Sequence, residues 1–149
     1  MAAPFQNILV LIDAGESSLK AAEYAVHLAA ATPARLTALS VVDTDTLNTL
    51  LAARILVEQE MREFEADLER SHNRGLKYVR QIAAKAGIQL ETVLAKGTCH
   101  STVLAEQKAR QIDLIVIGAF RYSLARLDLI ARERHLIIDG APCPVLIIK

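Results

Sequence analysis

Ile112-Asp113-Leu114-Ile115-Val116-Ile117-Gly118, followed after a polar stretch by Ala141-Pro142-Cys143-Pro144-Val145-Leu146-Ile147-Ile148, decides the fold. Each apolar run lacks the alternation of a strand with one wet face, and a helix-sized segment separates them. Neighbouring parallel strands covered on both faces have this pattern. The loop after Gly118 then leaves the carboxyl end of a strand, where open α/β sheets place their ligands.

The rest of the chain repeats the theme. Asn7-Ile8-Leu9-Val10-Leu11-Ile12 is an unalternated strand ending at Asp13, and Ser17 or Ser18 is placed to cap the helix that follows. Ala21, Ala22, Ala25, Leu28, Ala29 and Thr32 recur at helical spacing, and their small size predicts close helix-on-sheet packing. Arg35 to Val42 is the second strand, finishing at Asp43. From Leu50 to Ala86 one stripe (Val57, Met61, Phe64, Leu68, Val79, Ile82, Ala83, Ala86) keeps phase through His72 and Gly75, which predicts one long helix. Gly75 costs that helix about 1 kcal/mol relative to Ala, and a break at Asn73-Arg74-Gly75 is the alternative. Gly87 closes it. Ile88 to Leu94 alternates as an edge strand does, and Gly97 turns into a short helix from Cys99 to Arg110. The βαβαβαβαβ order predicts one α/β domain over residues 1–149 with a parallel sheet.

Composition narrows the function. Seventeen basic residues balance 17 acidic ones among 149, and aromatics make up 4%, which leaves neither a basic footprint nor a stacking platform for nucleic acid. Cys99 and Cys143 form no disulfide framework, no leader-like segment precedes the first strand, and no run approaches a bilayer span. The expectation is a cytoplasmic protein that meets neither nucleic acid nor membrane. The acidic run Glu58, Glu60, Glu63, Glu65, Asp67, Glu69 reads as a solvated helix face, with a partner surface as the alternative.

Candidate chemistry gathers at strand ends. Asp13 and Asp43 would stand on one sheet edge, able to hold a metal or accept hydrogen bonds from a ribose or base. Each could equally close its own turn. Arg121, Arg126, Arg132 and Arg134 could grip phosphates or form a solvated face, and Arg121 lies three residues beyond Gly118. Cys99 beside His100 offers a thiol–imidazole pair, but adjacent helical residues diverge. His135 reads as a satisfied polar side chain against the sheet or at its margin, and Cys143 as a packed thiol. The sequence contains no Gly-x-Ser-x-Gly elbow, no phosphate-binding Gly-Lys loop and no His-Glu-x-x-His pair, so no enzyme is expected.

The strand running into Asp13, the Val41-Val42-Asp43 strand end, the long helix, Gly97, Ile-Asp-Leu-Ile-Val-Ile-Gly and the closing Ala-Pro-Cys-Pro-Val-Leu-Ile-Ile together resemble a universal stress protein domain over the whole chain. The resemblance implies an open three-layer α/β sandwich of the adenine nucleotide alpha hydrolase-like type, with a five-stranded parallel sheet in the order 3-2-1-4-5, and homodimers. One branch of that family binds ATP and another does not. In the binding branch the first-strand Asp and the second-strand end hold the nucleoside, and a Gly-x-x-Gly loop with a later Gly-Ser/Thr cradles phosphates. Here Asp13, Val41-Val42 and Gly118 match. The second glycine falls on Arg121, the third on Ala131 and the hydroxyl on Arg132. Asp13-Ala14-Gly15 also replaces the more usual Asp-Gly-Ser.

This departure predicts a stress-response protein without cofactor, acting through dimerisation and protein partners. Val145 to Ile148 supplies the dimer contact, since an open apolar edge is rarely tolerated and two-fold pairing would hide it. The alternative is an adenine-nucleotide sensor taking ATP or AMP, with or without Mg2+, through Asp13, Val41, Val42, Gly118, Arg121 and Arg132.

Overall fold

A computed structural model describes residues 4–13, 15–119 and 127–149, and among these the side chains of all but Thr46 and residues 127–131. The elements follow in the order β1 (Asn7–Leu11), α1 (Glu16–Ala31), β2 (Arg35–Asp43), α2 (Thr44–Ala52), α3 (Glu58–Ala86), β3 (Leu90–Gly97), α4 (Cys99–Ala109), β4 (Leu114–Gly118), α5 (Leu127–Gly140) and β5 (Val145–Ile148). All pairings are parallel, and the strand order β3-β2-β1-β4-β5 is the expected open α/β sandwich.

The unalternated strands follow from two covered faces. Ile8, Val10 and Ile12 of the β1 segment meet Ala21, Ala22, Ala25 and Ala29 of α1 and Leu76, Val79 and Ala83 of α3. Leu9 points the other way, into a second core with Leu39, Val41, Val103, Ile115, Ile117 and Ile137, which α4 and α5 close. The alanine stripe brings α1 close to the sheet, as its spacing predicted. No helix among the described residues is long and apolar enough to cross a membrane.

The helix predicted from Leu50 to Ala86 is two helices. Arg54 takes a left-handed φ of 59°, and the amides of Ile55 and Leu56 turn back onto the Leu50 carbonyl, which ends the first. Val57, assigned to the buried stripe, is exposed, as is Ala86. Across Gly75 the helix is continuous. There a Cβ would lie 2.8 Å from Ile12 Cγ2, so the glycine lets α3 approach the end of β1. Gly87, at φ 68°, ends α3 as expected. β3 occupies an edge but is shifted to Leu90–Gly97, where it pairs with β2 as far as Asp43.

Candidate functional site

β1 and β4 lie side by side, and the chain runs outward from them in both directions. Their carboxyl ends form the switch point at which such sheets bind ligands. Asp13 sits there with its carboxylate partly exposed. Its Oδ1 accepts the Gly15 amide at 2.6 Å. Ser18 Oγ accepts the Asp13 amide at 3.2 Å, and its single proton serves the carbonyl of Gly15 at 2.9 Å or of Asp13 at 3.1 Å. The serine predicted to cap α1 instead knots the β1–α1 turn, and Gly15 is the N-cap, with no side-chain cap bond.

Gly118 ends β4 against α1. A Cβ there would stand 2.6 Å from the Ser17 carbonyl oxygen and 2.7 Å from its carbon. Close backbone approach alone therefore requires glycine at this position. Arg134, from the middle of α5, donates from Nη1 to the Gly118 carbonyl at 2.5 Å, and its Nη2 stands 3.7 Å from Asp13 Oδ2. Burial pulls its pKa down while the Asp13 charge pushes it back up. Arginine keeps its proton in proteins, so a largely buried cation faces the Asp13 carboxylate.

Three further groups surround this edge. Cys99 opens α4, and burial, aided by Glu133, Asp43 and Asp13, pushes its thiol up to about 12. A thiolate is therefore unfavourable at that place. The neighbouring imidazole does not serve it: His100 Nδ1 lies 2.7 Å from Glu133 Oε2, which also accepts the His100 amide at 2.8 Å. His72, on α3, is buried beneath β1 with no hydrogen-bond partner at Nδ1. Desolvation lowers its pKa, opposed by the Asp13 charge and by the Ile12 backbone.

Of the other expected site residues, Val41 and Val42 are buried at the end of β2, so their side chains cannot reach a ligand. Asp43 ends β2 beside Gly97, within electrostatic reach of Cys99. Among the described residues no three His, Cys, Asp or Glu side chains form a metal-binding group. Arg132 is exposed on α5, while Arg121 and Arg126 lie outside the described residues. His135 is exposed rather than packed against the sheet, because Ile137 sets the inward face of α5. The same phase turns Arg134 inward, three residues before Ile137. That spacing was the available signal for a residue first grouped with its exposed neighbours. Cys143 is half-buried, and burial raises its pKa.

Comparison with known proteins bears on the family and the fold. The universal stress protein family model matches residues 4–149. Universal stress protein YxiE of Bacillus subtilis is 29% identical over 97% of this chain and 99% of its own. The solved structure of universal stress protein UspA from Lactobacillus plantarum is 26% identical, covers 97% of both chains and superposes with a TM-score of 0.75. A universal stress protein in complex with cAMP shares the fold at 19% identity and a TM-score of 0.68, covering 97% of this chain and of its own.

Proposed function

Because the chain belongs to the universal stress protein family, whose members are regulatory rather than catalytic, we propose that it is a stress-response regulator binding an adenine mononucleotide at the carboxyl edge of β1 and β4. The observation that carries this reading is the Arg134 guanidinium held beside the partly exposed Asp13 carboxylate at the sheet's switch point. Asp13 has an acceptor oxygen to offer ribose hydroxyls, and Arg134 supplies positive charge near a phosphate. The backbone of Val41 and Val42, at the end of β2, would read a purine edge, and Gly118 would border the phosphate. The family relative with cAMP supports a ligand of this size. A triphosphate fits less well, since its cradle needs glycine amides and a hydroxyl where this chain has Arg121, Ala131 and Arg132.

The expectation from sequence was a protein acting without nucleotide. Arg134 shifts that balance, because it restores a cation beside Asp13 after the glycines are gone. Calorimetry with AMP, cAMP and ATP tests the reading. AMP or cAMP should bind with a dissociation constant on the order of 10 µM, at least tenfold more weakly to Asp13→Asn, with ATP no tighter. No heat from any of the three at millimolar concentration would return the protein to the interaction-only reading.

A second reading accompanies the first: a homodimer paired through β5. That strand is at the end of the sheet, with β4 as its neighbour, and Ile147 is 44% exposed. A second copy related by a two-fold axis would cover both. Light scattering at the mass of one chain would refute it.

A further inference from the structure

Where α4 meets α5, three side chains form a chain of polar contacts that the nucleotide reading does not use. Glu133 Oε2 lies 2.7 Å from His100 Nδ1, and His100 Nε2 lies 3.3 Å from Ser101 Oγ. The carboxylate fixes the tautomer: Nδ1 carries the proton and donates it to Glu133, so Nε2 is the acceptor facing the hydroxyl. Glu133 is itself held by the His100 amide at 2.8 Å, so acid and imidazole have a defined mutual orientation. A clasp between α4 and α5 needs only these two Glu133 contacts. It does not need Ser101 on the far nitrogen.

We propose that Ser101 is a covalent acceptor for small activated acyl groups, with His100 as its general base and Glu133 as the residue that orients the base. Adjacent helical residues ordinarily diverge, but here the observed 3.3 Å contact sets a hydroxyl against an imidazole that a third group positions, which is the arrangement of an activated nucleophile. In the reaction, Ser101 Oγ bonds to the acyl carbon of an ester or thioester while its proton passes to His100 Nε2. The bond from the acyl carbon to the leaving oxygen or sulfur breaks, and the imidazolium returns the proton to that atom. The product is an ester on Ser101 and a free alcohol or thiol.

Three surroundings select this chemistry. Ser101 is exposed, so the site is open and suits a small donor. It lies in the first turn of α4, where the helix dipole favours the oxyanion of the tetrahedral intermediate. Glu133 beside it, and Asp45 hydrogen-bonded to Thr98 at the start of the same helix, repel a phosphoryl donor more than a neutral acyl ester. Cys99, the obvious competitor, is held as a thiol by its burial.

The test uses the full chain with p-nitrophenyl acetate as the probe, following nitrophenolate release and locating the acetyl group by peptide mass spectrometry. The wild type should acquire one acetyl group on Ser101, and Ser101→Ala should lose that reaction. His100→Asn keeps a nitrogen near the Nδ1 position for Glu133 but removes the base, and should slow acetylation on the order of 10²-fold. Glu133→Gln should slow it less, and circular dichroism checks that both variants remain folded. Acetylation confined to lysines overturns the proposal. So does release by Ser101→Ala at the wild-type rate. If folded His100→Asn is acetylated at Ser101 as fast as the wild type, Ser101 is only an exposed hydroxyl and the proposal also fails.

Discussion

Replacing Arg134 with Met isolates the ionic part of its contribution, because Met retains most of the aliphatic stem's packing. The lost contacts include the 2.5 Å bond to the Gly118 carbonyl and the 3.7 Å approach to Asp13. A hydrogen bond from a charged donor contributes about 1.5–3 kcal/mol net. The Asp13 pair adds about 0.5 kcal/mol at most, since Asp13 is partly in water and the separation is long. Together these predict that Arg134→Met destabilises the fold by about 2–3 kcal/mol, measured from the urea midpoint at constant m-value. The corresponding fall in Tm is about 5–10 °C for a chain of this size. A cycle with Asp13→Asn should give a coupling well below the total, placing most of the effect on the Gly118 carbonyl. A midpoint within about 0.5 kcal/mol of the wild type would refute the reasoning. Arg134 would then be a surface cation resting on the edge, and its proposed role beside a phosphate would lose its structural basis.

Two further perturbations follow from the same edge. The His72 pKa is lowered from 6.5 in the folded protein, so below that value the unfolded chain holds more protons. The stabilisation from a neutral His72 is therefore present above pH 6.5 and lost as pH falls towards the lowered value. The wild type should lose stability from this residue as pH falls below 6.5. His72→Leu should flatten that slope in urea melts, and an unchanged slope would show that His72 is not the titrating group. Gly118→Ala should destabilise by about 3 kcal/mol, because its Cβ would meet Ser17 backbone at 2.6 Å rather than a movable side chain. A loss below about 1 kcal/mol would mean that β4 and α1 can part without penalty.

The sheet was legible in the sequence because parallel strands covered on both faces leave continuous apolar runs, as at β1, β4 and β5, while β3 showed itself by the alternation of an edge. The alanine stripe of α1 was legible for the same reason. The gap between α2 and α3 was not. It depends on Arg54 adopting a left-handed conformation, which no residue type announces, while Val57 happened to keep the phase of the buried stripe. At the site, Asp13 and Gly118 were located correctly. The partners of Asp13 were not foreseen: Ser18 is tied to it through the turn rather than through the helix cap, and Arg134 reaches it from 121 positions away. Contacts of that span depend on how α5 is rotated against the sheet. The phase that Ile137 imposes was the one clue to it.

Gly118 shows why a motif glycine can mislead in either direction. Its place in a phosphate-loop pattern makes it look like a remnant of ligand binding, and the loss of the later glycines makes it look vestigial. Neither view is needed to explain its presence, because the Ser17 carbonyl excludes any Cβ there whether or not a ligand binds. The functional information lies in what contacts the glycine. Its carbonyl anchors Arg134, and Arg134 in turn faces Asp13, so one backbone oxygen connects β4, α5 and the end of β1. A nucleotide at this edge would have to compete with Asp13 for that cation or share it. Sharing predicts that raising ionic strength weakens phosphate binding more than it weakens the fold, because the Asp13–Arg134 approach is partly exposed while the Gly118 bond is more protected.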